Sequence, residues 1–115
     1  MPDLTREGRI KKELKRLKRI FAPLPQNERD FVKPLIENAA FMAITLEDLQ
    51  AEINDYGCID EYQNGENQKG VKQSASTQAY VAVMKTYNTT MDKLLAKLPK
   101  DVGKNALAKF MESTE

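Results

Sequence analysis

The sequence contains no histidine and no tryptophan, and Cys58 is its only cysteine. Without histidine, the chain lacks the commonest general base and the commonest side-chain metal ligand. A single cysteine excludes a disulfide within the chain and favours a reducing compartment. No apolar run approaches the roughly 18 to 20 residues that a bilayer-spanning helix needs, and the first residues show no signal-peptide core. We therefore expect a cytoplasmic protein with no membrane partner.

Motifs that carry catalytic chemistry are also missing. With five glycines in all, the sequence has no glycine-rich phosphate-binding loop. Cys58 has neither a histidine nor a CxxC partner, which argues against a nucleophile. Asp60, Glu61 and Glu66 could be read as a metal or acid–base cluster, but their spacing matches no calcium loop, and carboxylates in a polar turn are usually solvated. We predict no enzyme, no cofactor and no metal site.

The 115 residues fit one domain, 1–115, of which 41% are hydrophobic and 30% charged. The net charge of +1 favours no particular partner, but the charge is unevenly distributed. Residues 1–22 hold eight Lys/Arg against three Asp/Glu, a net charge of +5. Residues 27–56 hold two Lys/Arg against seven Asp/Glu, a net charge of −5. A basic segment therefore precedes an acidic helix.

The spacing of apolar residues predicts a basic N-terminal helix over 5–22. Thr5 is its candidate N-cap, and Pro23 and Pro25 end it. One face carries a stripe of apolar side chains at spacings of four, three and four: Ile10, Leu14, Leu17 and Phe21. The opposite half of the helix carries the basic side chains.

A second helix is predicted from about residue 27 or 28 to Tyr56, with Asn27 or Asp30 as N-cap and Gly57 as the stop. Pro34 is tolerated easily if this helix begins at Asp30 and kinks it if the helix begins at Asn27. A near-heptad stripe predicts packing along the whole helix: Phe31, Leu35, Ala39, Met42, Leu46, Leu49 and Ile53.

A third helix is predicted over about 76–98, with Ser74 or Ser76 as N-cap and Pro99 as the stop. The polar segment 57–73 separates it from the second helix. The Asn64-Gly65 turn signal suits a two-residue loop, so both a short β-hairpin and an ordered turn are open. We predict an all-α fold in which the second and third helices form a long antiparallel hairpin, the core over 27–98. The tail 99–115 could add a short helix.

The basic helix is the best candidate for a binding site. Long cationic side chains on one helical face suit contact with nucleic-acid phosphates, because they release counterions. The alternative is an ordinary solvated face of a surface helix. The candidate DNA-binding residues are Arg9, Lys11, Lys12, Lys15, Arg16, Lys18 and Arg19.

The second helix is apolar on nearly every side around its middle, at Ile36, Ala40, Phe41, Ala43 and Ile44. Such a helix is normally buried all round. A thin helical hairpin has too little width to cover it, so we expect these residues to form an oligomer interface. The acidic end of the same helix (Glu47, Asp48, Glu52 and Asp55) either pairs with basic segments of neighbouring subunits or lies in water.

Four strings between Leu35 and Pro99 resemble the P27-like family of phage terminase small subunits. They are LIENAAFM at 35–42 with TLEDLQ at 45–50, YQNGENQ at 62–68, and LLAKLP at 94–99. The sequence has Ser74-Ala75 where many such sequences have Ser-Pro. The resemblance implies a non-enzymatic DNA-packaging protein in the cytoplasm of the bacterial host. Such subunits recognise double-stranded viral DNA, assemble as rings and deliver the DNA to the large terminase subunit. A helical adaptor that binds another protein and not DNA is the alternative.

Overall fold

A computed structural model describes residues 5–63 and 69–98. Most of them are helical, in agreement with the predicted all-α class. The elements are α1 (Arg6–Ile20), α2 (Gln26–Tyr56), β1 (Ile59–Gln63), β2 (Lys69–Gln73) and α3 (Ala75–Ala96). Pro99 and the predicted tail helix lie outside the described residues.

The ends of the helices follow local sequence signals. The Thr5 Oγ1 accepts a hydrogen bond from the Gly8 N–H at 3.0 Å, and Ser74 caps α3 by accepting from the Thr77 N–H at 3.1 Å. Gly57 follows α2 with φ of +86°, a conformation that favours glycine. These ends confirm the predicted caps of α1 and α3 and the predicted stop of α2.

The predicted N-cap of α2 is wrong. The helix begins at Gln26, directly after Pro25, and no side chain caps it. Proline lacks an N–H and has a fixed φ, so Pro25 can precede a helix and removes one of the backbone donors that a helix start leaves without an intrahelical partner. Asn27 and Asp30 consequently lie in the first turns of α2, and Pro34 lies in the helix interior.

β1 and β2 pair antiparallel, with Ile59 opposite Gln73 and Gln63 opposite Lys69. The segment 57–73 therefore contains a β-hairpin, one of the two predicted alternatives. A two-residue loop at Asn64-Gly65 would pair the residues on either side of it, whereas Gln63 lies opposite Lys69. The turn itself, 64–68, lies outside the described residues.

The core lies where all three helices contribute side chains to one cluster. α2 contacts both α1 and α3. The buried members are Leu17, Phe21, Leu24, Val32, Ile36, Ala39, Ala40, Leu94 and Leu98. Because Leu17 and Phe21 come from the end of α1 and Val32 and Ile36 from the first half of α2, the chain folds back on itself at residues 21–25. This return places the basic helix along α2.

Candidate nucleic-acid interface

The seven predicted DNA-binding residues lie on α1, whose apolar stripe faces the core. Leu17 is fully buried, and Ile10 and Leu14 pack partly buried against the cluster. The stripe fixes the rotation of α1 about its own axis, so the basic residues lie on its flanks and outer side. From Arg9 to Arg19 the helix rises about 15 Å at 1.5 Å per residue.

Arg9 is paired within the chain. Its Nη1 donates to Asp48 Oδ1 at 2.6 Å, and its Nη2 donates to Glu47 Oε2 at 2.7 Å. Arg6 Nη1 donates to the other oxygen of Asp48 at 2.6 Å, and Arg6 Nη2 donates to Thr45 Oγ1. We call Arg6, Arg9, Glu47 and Asp48 the ion cluster. It joins the start of α1 to the second half of α2.

The ion cluster shifts the protonation equilibria of its members. The hydrogen bonds that Arg9 donates to Asp48, and then to Glu47, raise the pKa of Arg9 above its ordinary value. The hydrogen bond from Arg9 lowers the pKa of Asp48, and partial burial opposes this effect. Both side chains keep substantial exposure, 30% for Arg9 and 40% for Asp48, so water screens the pair.

Arg6 also contacts an aromatic ring. Its guanidinium carbon lies 4.9 Å from the centre of the Phe41 ring, within the range of a cation–π contact. Sequence reasoning missed Arg6 as a member of any site. The opposite net charges of 1–22 and 27–56 were the signal that could have found the ion cluster.

Two more of the predicted residues pair with acids of α1 itself. Arg16 Nε and Nη2 donate to the two carboxylate oxygens of Glu13 at 2.6 and 2.7 Å, and both side chains are mostly covered. Lys11 Nζ lies 3.7 Å from Glu7 Oε1 in an exposed pair. Burial raises the pKa of the Tyr87 phenol, and the negative charge of Glu13 raises it further.

The other four predicted residues are exposed and have no ion pair with any described residue: Lys12, Lys15, Lys18 and Arg19. We call them the open cationic face. Beside it lies a groove of about 620 Å³ between α1 and the Ile44–Glu47 part of α2. Five cationic side chains (Arg9, Lys12, Lys15, Arg16 and Arg19) and two acidic ones (Glu13 and Glu47) line the groove. The structure therefore divides the predicted site into paired residues and residues open to a ligand.

The predicted oligomer-interface residues also fall into two groups, one buried and one with exposed surface. Ile36, Ala40 and Ile44 are 4%, 0% and 5% exposed in the single chain. All three are buried within the single chain, where the returning α1 packs beside Ile36 and Ala40, so no partner is required to explain their burial. Ala43 is half-buried, and Phe41 is 54% exposed.

Further large apolar side chains outside the predicted oligomer interface are exposed. Tyr56 and Ile59, at the junction of α2 and β1, are 81% and 58% exposed. Phe31 is 67% exposed, and its ring lies 5.1 Å from Lys97 Nζ. Phe31 belongs to the predicted packing stripe, but its side chain lies at the edge of the helix pair rather than inside it.

Within 5–63 and 69–98, no group of three or more His, Cys, Asp or Glu side chains is arranged to hold a metal ion. The side chains of Asp60, Glu61 and Glu66 lie outside the description. Cys58 is free and exposed. None of the described helices is long and apolar enough to cross a membrane.

No protein-family model matches the chain, and no similar curated protein or solved structure was found. The resemblance to P27-like terminase small subunits stays a prediction that depends on the strings quoted above.

Proposed function

We propose that this protein is a non-catalytic DNA-recognition protein that binds the phosphates of double-stranded DNA through the open cationic face of α1. In this proposal it acts as the small subunit of a phage packaging terminase, in the cytoplasm of the bacterial host, and delivers viral DNA to the large subunit. The terminase role comes from the sequence resemblance. The DNA contact has an independent argument from the contacts of α1.

The observation that carries the proposal is the difference between the cations of α1. Arg9, Arg16 and Lys11 have acidic partners, whereas Lys12, Lys15, Lys18 and Arg19 have none among the described residues. Four exposed charges within two turns of one helix repel one another unless an anion neutralises them. A phosphate backbone supplies regularly spaced anions, and its binding releases counterions.

The contacts are expected to be with phosphates rather than bases. No aromatic residue interrupts the open cationic face, so there is no platform on which single-stranded bases could stack. Lysine and arginine contacts to phosphates position a protein on a duplex without reading its sequence. Affinity should therefore fall steeply with salt and depend little on DNA sequence.

A gel-shift titration with double-stranded DNA tests the proposal. Replacing Lys12, Lys15 and Arg19 by Glu removes three phosphate contacts and adds three repulsive charges, so affinity should fall by more than about tenfold at low salt. The matched control replaces Lys72, Lys85 and Lys93 by Glu, since these lysines are exposed outside α1 and the change in net charge is the same. Equal losses in both variants would remove α1 from the mechanism.

We also propose that α2 and α3 form the antiparallel hairpin and that the protein is an oligomer, with a ring as the implied form. Contacts at both ends support the hairpin. Lys97, after α3, contacts Phe31 near the start of α2, and the Ser74 N–H donates to the Cys58 carbonyl at 2.9 Å. The exposed Phe31 and Phe41 support further association. Light scattering that gives only the 13.1 kDa monomer would exclude the oligomer.

A helical adaptor that binds protein and not DNA is the second candidate. The exposed Tyr56 and Ile59 favour it, because large apolar side chains close together mark protein contacts. Salt separates the two functions. DNA affinity falls steeply as salt rises, whereas a packed apolar interface changes little.

A further inference from the structure

We propose that Glu47 and Asp48 compete with DNA phosphates for Arg6 and Arg9, and so limit both the extent and the affinity of DNA binding by α1. The inference rests on the proposed function and adds an internal regulator to the same site. DNA contact is then confined to the open cationic face, although α1 carries further arginines at its start.

The first step of the argument is that the ion cluster occupies the donors that a phosphate would use. Asp48 accepts from Arg6 on one oxygen and from Arg9 on the other, each at 2.6 Å, and Glu47 accepts from Arg9 at 2.7 Å. Arginine binds carboxylates and phosphates through the same planar set of N–H donors. The carboxylates therefore stand where phosphate oxygens would otherwise bind.

The second step is that the ion cluster lies beside the open cationic face. Arg9 and Glu47 line the same groove as Lys12, Arg16 and Arg19. A duplex lying on the open cationic face brings its phosphates toward this groove, within the screening length of about 8 Å at physiological salt. At the Glu47 end they meet like charge, which repels them. Neutral side chains at 47 and 48 would remove this repulsion and release two arginines.

The third step concerns whether Glu47 and Asp48 compete for the arginines or are needed to hold α1 in place. Leu17, Phe21 and Leu24 are at most 4% exposed and fix the second half of α1 in the core. The open cationic face belongs to this anchored part of the helix and the turn before it. Neutralising Glu47 and Asp48 therefore leaves the open cationic face in place. The site gains net positive charge, and this gain raises its affinity for DNA.

The experiment compares Glu47→Gln/Asp48→Asn with Glu52→Gln/Asp55→Asn by fluorescence anisotropy on double-stranded DNA at several salt concentrations. Both variants lose two negative charges from α2, but Glu52 and Asp55 are exposed and pair with no described cation. The first variant should bind DNA about three- to tenfold more tightly than the second. Its plot of log affinity against log salt should be steeper by about 1 to 2, since each added phosphate contact contributes about 0.9.

A second pair of variants tests the arginines with the same change in net charge in both variants. Arg6→Gln/Arg9→Gln should change affinity much less than Lys12→Gln/Lys15→Gln, although each removes two positive charges. Circular-dichroism spectra of all four variants establish that each is folded.

The outcomes are distinguishable. If Glu47→Gln/Asp48→Asn binds no better than its control, or binds more weakly, competition is refuted while DNA binding by Lys12 and Lys15 stands. An equal loss from both arginine and lysine pairs also refutes it. Salt-insensitive or absent binding by the unaltered protein would instead reject the proposed function, and the competition with it.

Discussion

Replacing Leu17 by Ala tests whether α1 is part of the core or an attached basic segment. Leu17 is fully buried in the cluster with Phe21 and Ile36. Shortening it removes three buried carbon groups, worth about 2.4 kcal/mol at about 0.8 kcal/mol each. The cavity that remains raises the loss of unfolding free energy to about 3–5 kcal/mol. We therefore expect a large fraction of the stability of a domain of this size to be lost.

Urea denaturation followed by circular dichroism at 222 nm measures this loss, and a thermal melt gives an independent value. At roughly 4 °C per kcal/mol for a domain of this length, the melting temperature should fall by about 12–20 °C. Leu14→Ala is the matched control, because Leu14 lies one turn earlier and is only partly buried. Leu14→Ala should lower the free energy of unfolding clearly less than Leu17→Ala does.

A small effect would refute the packing argument. If Leu17→Ala costs less than about 1 kcal/mol, or no more than Leu14→Ala, the side chain does not fill a tightly packed core. Packing of α1 would then no longer explain the burial of Ile36 and Ala40. A partner molecule would again be expected to cover this part of α2.

Three smaller changes probe the ends of the helices and the ion cluster. Ser74→Ala removes the α3 cap and should cost about 1 kcal/mol in urea denaturation. Gly57→Ala should cost about 1–3 kcal/mol from backbone strain alone, because no atom lies within 4 Å of the added methyl and φ is +86°. The folded-state pKa of Asp48 is lowered, so its contribution is present above the ordinary value of about 4 and is lost as pH falls through the folded value. Because Asp48 is 40% exposed, this contribution should not exceed about 1 kcal/mol, measured as the difference between the pH–stability curves of the unaltered protein and Asp48→Asn.

Sequence reasoning predicted the helices well because their signals are local. Thr5, Ser74 and Gly57 act on backbone atoms within a few residues, and the 3.6-residue spacing of Ile10, Leu14 and Leu17 needs no knowledge of the rest of the chain. The N-cap of α2 was predicted wrongly because a polar residue inside the first turn looks the same in sequence as one just before it. Pro25 was the better signal.

The contacts between elements could not be predicted in the same way. The charges of Arg9 and Asp48 are visible in the sequence, but their pairing depends on the fold-back at 21–25, which brings together residues 39 positions apart. The same fold-back covers Ile36, Ala40 and Ile44. An apolar position in a helix indicates burial, but it does not say whether the cover comes from the same chain or from another.

The two ends of α1 are held by different interactions, which are weakened by different conditions. Near Leu17 and Phe21 the attachment is apolar burial, which weakens on cooling. Near Arg6 and Arg9 the ion cluster predominates, and salt weakens it. Amide hydrogen exchange should therefore show α1 opening from its first turns in concentrated salt, while cold should loosen its last turns. The helix is fixed at both ends together only over a limited range of temperature and ionic strength.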